Sequence, residues 1–455
     1  MSIATRNLRQ SVVLRTAPGE SNGFSRFDQG FSSFGLLDAP DGIHHGKRVR
    51  TPASIWPVRE AKSALGHGRF KSFENHRTTA EHGIRPPHAE AEVLVIGAGP
   101  AGLAISARLK SMNIPFELVD ANGQPGGAYA RMYPNIVLSS PADYLSLPGL
   151  SFRASQPNVN VAEFAKYLVR YAKCFELRPS QARVTSVKAC SGSFLVSFEH
   201  RPVQSYRAVV AASGMCEHPN YPQIPGLQCP GDETDRAPKA IHAQNWPGPA
   251  NHDRRILIIG RGMRAVEIAE ECAAAGIRVV VSARQGKVRT WRRTVLGIDL
   301  RKILFPATRL LSSVLRRLVP SYCTRPFTFP GIDRGFAAFR SEGLIDVQGT
   351  VVRFEGHTAV FEDGTRRDFD VIVAATGYRH LMPFLPADLA RAPAGHLLAR
   401  NGQSVSSPGL YVVGTPCASG VASQFIHGIK DDTESIASDI RRFLSVTSRA
   451  PTRQT

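Results

Sequence analysis

The 455-residue chain contains no apolar run approaching the eighteen residues that a membrane-spanning helix requires, and its N-terminus has no short apolar core of a secretory signal. A wholly membrane-embedded or secreted protein is therefore disfavoured. The seven cysteines (Cys174, Cys190, Cys216, Cys229, Cys272, Cys323 and Cys417) are scattered and odd in number, with no Cys-x-x-Cys pair or zinc-finger spacing. They read as reduced thiols, which argues against a metal site and against chemistry that passes electrons through a close redox pair. Acids are also scarce, with 37 Asp and Glu against 56 Lys and Arg for a net charge of +19. The imbalance is concentrated between Arg284 and Arg340, where thirteen basic residues meet only Asp299 and Asp333. No recognised binding motif or run of stacking aromatics accompanies this charge, so nucleic acid is not an expected partner. Within it, residues 300–306 and 308–318 place apolar side chains at near-helical spacing with arginines opposite. Such a segment packs on its own domain or makes peripheral contact with an anionic membrane, the former being the commoner arrangement.

What the chain does contain is a pair of glycine-rich turns 163 residues apart, Val93-Leu-Val-Ile-Gly-Ala-Gly-Pro-Ala-Gly102 and Ile256-Leu-Ile-Ile-Gly-Arg-Gly-Met-Arg-Ala265. In each, a short apolar run reads as a buried parallel strand. The glycines (Gly97, Gly99 and Gly102; Gly260 and Gly262) let backbone approach a pyrophosphate at the start of the next helix. Pro100 and Ala101 open the first helix, and Arg264 and Ala265 open the second; Ala265 replaces a third glycine at a position that serves helix-to-strand packing. Two turns imply two dinucleotides, FAD and a nicotinamide. After the first, Phe116 to Asp120 forms a second strand, and Asp120 at its end is placed to accept from a ribose 2′-hydroxyl. After the second, the corresponding strand carries no acid and ends in Ser282 and Arg284. A guanidinium there grips a 2′-phosphate that a carboxylate would repel, so NADPH is expected.

Residues 1–90 are basic, rich in Gly, Ser, Pro and His, and show no sustained periodicity, so they read as a disordered extension. A cytoplasmic protein is expected, with an organellar transit peptide as the alternative, because Arg6, Arg9 and Arg15 occur without an acid in the first nineteen residues. An FAD-binding section follows over 91–235, with a helix near 158–172 and a β-meander, then an NADPH-binding domain over 236–345. The remainder of the FAD-binding domain spans 346–447, and 448–455 is a disordered tail. The fold class is α/β, with two Rossmann-type dinucleotide-binding domains and the NADPH domain inserted in the FAD domain.

The motifs together resemble the class B flavoprotein monooxygenases over roughly residues 91 to 445. They come in that family's order: the first glycine turn; Gly126-Gly127 followed by Tyr133-Pro134; Ala211-Ala-Ser-Gly214; His242-Ala-Gln-Asn-Trp246; the second turn; Ala375-Thr-Gly-Tyr378; and Pro408-Gly-Leu-Tyr-Val-Val-Gly414. The resemblance implies that Gly126, Gly127, Thr376, Gly377 and Gly414 also contact cofactor, and that His242, Trp246 and Tyr378 are candidate catalytic residues. The family fingerprint F-x-G-x-x-x-H-x-x-x-(Y/W) is only half kept, because its Phe-x-Gly part is at best Cys229-Pro-Gly231. Where relatives place an active-site asparagine or aspartate, this chain has Ser139 or Ser140. The implied activity inserts one oxygen atom from O2 into a small organic substrate (an amine, sulfide, ketone or 2-oxo acid) by way of a flavin C4a-peroxide. The alternatives are a flavoprotein reductase of a disulfide, quinone or protein partner, and a non-catalytic nucleotide-binding or membrane-surface protein.

Overall fold

The computed structural model describes residues 91–156, 158–228, 238–249, 254–296, 298–307, 310 and 330–447. The expectations made for residues 1–90, for Cys229-Pro-Gly231, for 308–318 apart from Leu310 and for the tail lie outside these. No helix among the described residues is long and apolar enough to cross a membrane.

The first sheet grows from β1 (Val93–Ile96), α1 (Pro100–Ser111) and β2 (Phe116–Asp120), a crossover that leaves β1 and β2 parallel with Val93 opposite Phe116. The amphipathic α2 (Val161–Cys174) is capped by Asn160, whose side chain accepts from the Glu163 amide, one of the orphan donors of a helix start. β3 (Ser180–Gln181) then pairs with β2. β4 (Val184–Cys190), β5 (Ser193–Phe198) and β6 (Gln204–Tyr206) form an antiparallel meander, and β7 (Ala208–Ala211) returns to lie parallel to β1.

The second sheet takes β8 (Ala240–His242), β9 (Ile256–Ile259), α3 (Met263–Ala274) and β10 (Val279–Ser282). Two small ribbons follow: β11 (Thr290–Arg292) with β14 (Gly331–Asp333), and β12 (Thr294–Val295) with β13 (Ile298–Asp299). Residues 301–307 between them are helical (α4). The chain continues through α5 (Phe336–Ser341), β15 (Ile345–Gln348), a second meander of β16 (Val351–Glu355), β17 (Thr358–Phe361) and β18 (Arg366–Asp368), and β19 (Val371–Ala374). β20 (Ala399–Arg400), β21 (Gln403–Ser404) and β22 (Leu410–Val412) rejoin the first sheet, and α6 (Ile426–Thr447) closes the fold. The sheet orders are β20-β21-β22-β7-β1-β2-β3 and β15-β10-β9-β19-β8.

Both sheets are layered alike because their central strands are apolar on both faces. In the first, Val93 and Val95 pack under α1, α2 and α6, while Leu94 and Ile96 face the β4–β6 meander. In the second, Ile256 and Ile258 pack against α3, while Leu257 and Ile259 face the β16–β18 meander.

One boundary is corrected. The strand at 371–374 belongs to the second sheet, where it pairs with both β9 and β8, and the 351–368 meander covers that sheet's other face. The second unit therefore runs to about residue 375, not 345. Its return path also pairs with its entry path: the Asn220 amide donates to Gly377 O at 2.9 Å, the Arg379 amide to His218 O at 2.9 Å, and Pro219 bridges Tyr378. Both crossings thus form one two-stranded hinge.

Candidate active site

The two glycine turns have one geometry. Gly97 and Gly260 sit at φ +105° and +149°, and a Cβ there would lie 2.5 Å from Ala212 O and 2.3 Å from Ala375 O, so the neighbouring strand requires glycine at both. Gly102 is required as well, since a Cβ would fall 1.7 Å from Gly97 O, and Gly414 lets the end of β22 come against Ala101. Gly99 and Gly262 are different. Each has ordinary extended backbone, a Cβ on Gly99 would come no nearer than 4.0 Å to Gly127, and one on Gly262 would meet nothing within 4 Å. Protein packing does not call for glycine at these two positions, and the space left there is open to close approach at the helix N-terminus.

Asp120 ends β2 beside the first cradle, its Oδ2 accepting from the Ala98 amide at 2.9 Å and its Oδ1 from the Asn122 amide at 2.8 Å. Oδ1 also accepts from the Asn122 side-chain amide at 3.4 Å, so Oδ2 is the oxygen that keeps acceptor capacity for a further donor. Gly126 and Gly127 fold over the same turn, the Gly126 amide donating to Ala98 O. At the second cradle Ala265, in the first turn of α3, is fully buried, as its packing role requires. Arg264 has Nη1 3.4 Å from Glu267, while its Nε and Nη2 are buried without a hydrogen-bond partner. Buried guanidinium donors left unpaired beside an open helix start fit an anionic ligand. Arg284 follows β10 and is exposed. Ser282 is not free to join it: its hydroxyl donates to Gly349 O at 2.9 Å and accepts from the Val351 amide at 3.2 Å, fastening β10 to the turn before β16.

Of the three candidate catalytic side chains, His242 and Tyr378 come together and Trp246 stands apart. Trp246 is a core residue packed under α3, with Nε1 donating to Glu271 at 3.1 Å. His242 ends β8 and is buried; Nε2 lies 3.0 Å from Gly377 O and Nδ1 accepts from the Gln244 amide at 3.2 Å. A carbonyl can only accept, so the proton sits on Nε2, and burial holds the ring's pKa below its usual value. His242 is thus a neutral pin on the hinge with both nitrogens committed. Thr376 likewise gives its hydroxyl to Asn220 O within the hinge. Tyr378 packs edge-on to His242 at 5.0 Å, and its hydroxyl meets the Cys216 thiol and the field of Arg264. Burial, with Glu217 adding to it, pushes the Cys216 thiol up to about 11, so it stays protonated and is no nucleophile at neutral pH.

Beside the second cradle lies an apolar cavity of about 190 Å³. Ser139, Ser140, Phe425 and His427 line it from the first unit, and Met263, Trp291, Phe305 and Ile332 from the second. Ser139 donates its hydroxyl to the Met263 thioether, and Arg301, 4% exposed, donates Nη1 to Ser139 O at 3.1 Å. Arg301 is itself held by Asp299 at 2.6 Å, and that pairing keeps the Asp299 carboxyl far below the usual carboxylate range. Apart from the serines, from Met263 in the second glycine turn and from the amphipathic 300–306 segment, no residue of this cavity was marked in the sequence: its walls come from stretches over 280 residues apart.

Residues 94–302 match the family described as pyridine nucleotide-disulphide oxidoreductase, and residues 337–398 the family described as flavin-binding monooxygenase-like. The chain is 26% identical over 385 residues to an indole-3-pyruvate monooxygenase, YUCCA1, of Oryza sativa subsp. japonica, covering 76% of this chain and 90% of that protein. Among solved structures it resembles a flavin-containing monooxygenase from Stenotrophomonas maltophilia (TM-score 0.62, 22% identity, 78% and 98% of the two chains). It also resembles OTEMO in complex with FAD and NADP (TM-score 0.58, 14% identity, 78% and 86%). In the order of its motifs, in sequence and in fold the chain is similar to the flavin monooxygenases, and these likenesses support an oxidoreductase of the monooxygenase type.

Proposed function

We propose that the chain is an NADPH-dependent, FAD-containing monooxygenase that transfers one oxygen atom of O2 to a small organic substrate. The observation that carries the reading is the apolar cavity: its wall includes Met263, the first residue of the helix on the second cradle, and Ser139, tied to that residue from the first unit. OTEMO, a neighbour in fold, is named as binding FAD and NADP. In this reading Gly97, Gly99, Gly102 and the Ala101 amide take the FAD pyrophosphate, Asp120 the adenosine ribose, and Gly126, Gly127 and Gly414 shape the same groove. Gly260, Gly262 and Arg264 take the NADPH pyrophosphate, and Arg284 its 2′-phosphate.

The bound flavin and nicotinamide supply hydride transfer and O2 activation. The protein's own share is positioning and shielding. The hinge, pinned by His242, fixes how the two units face each other, and the apolar lining keeps water from the reacting atoms. The protonated Cys216 thiol is itself no nucleophile for thiol–disulfide exchange, and the sequence holds no Cys-x-x-Cys pair, which together weigh against a disulfide reductase.

The test is to reduce flavin-loaded protein with NADPH, admit ¹⁸O2, and follow cofactor oxidation and product mass across amines, sulfides, ketones and 2-oxo acids. Incorporation of one labelled atom with NADPH consumed one-for-one supports the reading. Rapid electron delivery to quinone or disulfide acceptors, with no label in any product, replaces it with a reductase.

A further inference from the structure

We propose that the cavity beside the second cradle selects a flat aromatic substrate, gripped by a wall of rings assembled from three separate stretches of chain. The inference that such a ligand binds rests on the cavity; that it is oxidised rests on the function proposed above. The rings of Phe425 and His427 lie nearly parallel, 6° apart with centroids at 5.6 Å, and Phe305 tilts against His427 at 5.0 Å. Tyr144 buttresses both Phe305 and His427 from behind, at 5.2 and 5.7 Å. Trp291 adds a further indole to the lining.

Such a wall discriminates by electrostatics as well as by shape. Ring faces carry negative and ring edges positive potential, so an aromatic ligand gains offset-stacked or edge-to-face contacts that a saturated ligand of equal volume cannot make. The cavity, at about 190 Å³, is of a size for a small ligand rather than a drug-sized one. Ser139, Ser140 and the His427 imidazole are the polar groups that would orient a hydroxyl, carbonyl or ring N–H on it.

The experiment is calorimetric titration of the flavin-loaded full chain with 2-naphthol and with its saturated counterpart, decahydro-2-naphthol. The expected result is about ten-fold tighter binding of 2-naphthol, with Phe425→Leu, or Phe305→Leu should that variant not fold, cutting the ratio below about three-fold at unchanged flavin content. Equal affinity for the two probes, or binding of neither, overturns the proposal. ¹⁸O incorporation into non-aromatic sulfides, amines and ketones, measured on the same sample, separates that outcome from failure of the oxygenase reading: it persists when only the ring selectivity fails and is absent for every substrate when the oxygenase reading fails.

Discussion

Replacing Gly262 with valine isolates the second cradle from the stability of the fold. Gly262 is the N-cap of α3 at φ −86° and ψ −178°, a conformation open to any residue, and a Cβ there meets nothing within 4 Å. The folding cost is the poorer cap alone, about 1 kcal/mol, which corresponds to no more than about 3 °C in thermal midpoint for a chain of this size. The side chain would instead fill the space through which a pyrophosphate reaches the helix start. Losing one charge-assisted hydrogen bond costs about 1.5–3 kcal/mol, or roughly 10- to 150-fold in NADPH affinity. Gly260→Val is the matched control, since its Cβ would sit 2.3 Å from Ala375 O at positive φ, and it should unfold the second unit. Flavin absorbance, thermal midpoint and anaerobic reduction at graded NADPH are measured on both. Gly262→Val protein that keeps its flavin, melts normally and needs far more NADPH for reduction is the expected outcome. Unchanged NADPH dependence would show that this turn holds no dinucleotide, and lost flavin would show that the two cradles have been assigned in reverse.

Three further outcomes are expected. Arg284→Ala should weaken NADPH by about 10- to 100-fold and leave NADH unaffected, because only the 2′-phosphate distinguishes them; equal effects in steady-state titrations remove Arg284 from that contact. His242 excludes a proton that the unfolded imidazole binds, so the stability it contributes is full above its ordinary pKa of 6.5 and is lost as pH falls from there toward its lowered folded value. Denaturation midpoints from pH 7.5 to 5 should therefore fall less steeply in His242→Gln, and parallel slopes refute the assignment. Arg301→Gln leaves Asp299 half-paired and Ser139 O without its donor, and should cost about 3–5 kcal/mol, with a lower melting temperature and weaker cavity-ligand binding at normal flavin content; an unshifted melt shows that the pair does not anchor this segment.

Both glycine turns, the strands before them and the helices after them were legible because each is local: an apolar run, then glycines, then small residues at helical spacing. Asp120 and the acid-free end of β10 could likewise be read from position along the chain. Strand 371–374 could not be assigned to its sheet, since Val371-Ile-Val-Ala374 is apolar on both faces and reads the same between any two parallel neighbours. Pairing with β9 and β8 decided it, and moved the domain boundary with it.

Side-chain roles divide in the same way. A motif places His242 and Ser282 near a cofactor, but which atoms face their nitrogens and hydroxyl depends on Gly377, Gly349 and Val351, 67 to 135 residues further along the chain. Nor does local sequence place Phe305, Arg301, Phe425 or His427, which come beside Ser139 and Met263 only where the two units meet. Cradles were written into short segments because a phosphate is recognised by contiguous backbone; the cavity was decided by tertiary structure because a substrate is recognised by surfaces that meet only in space.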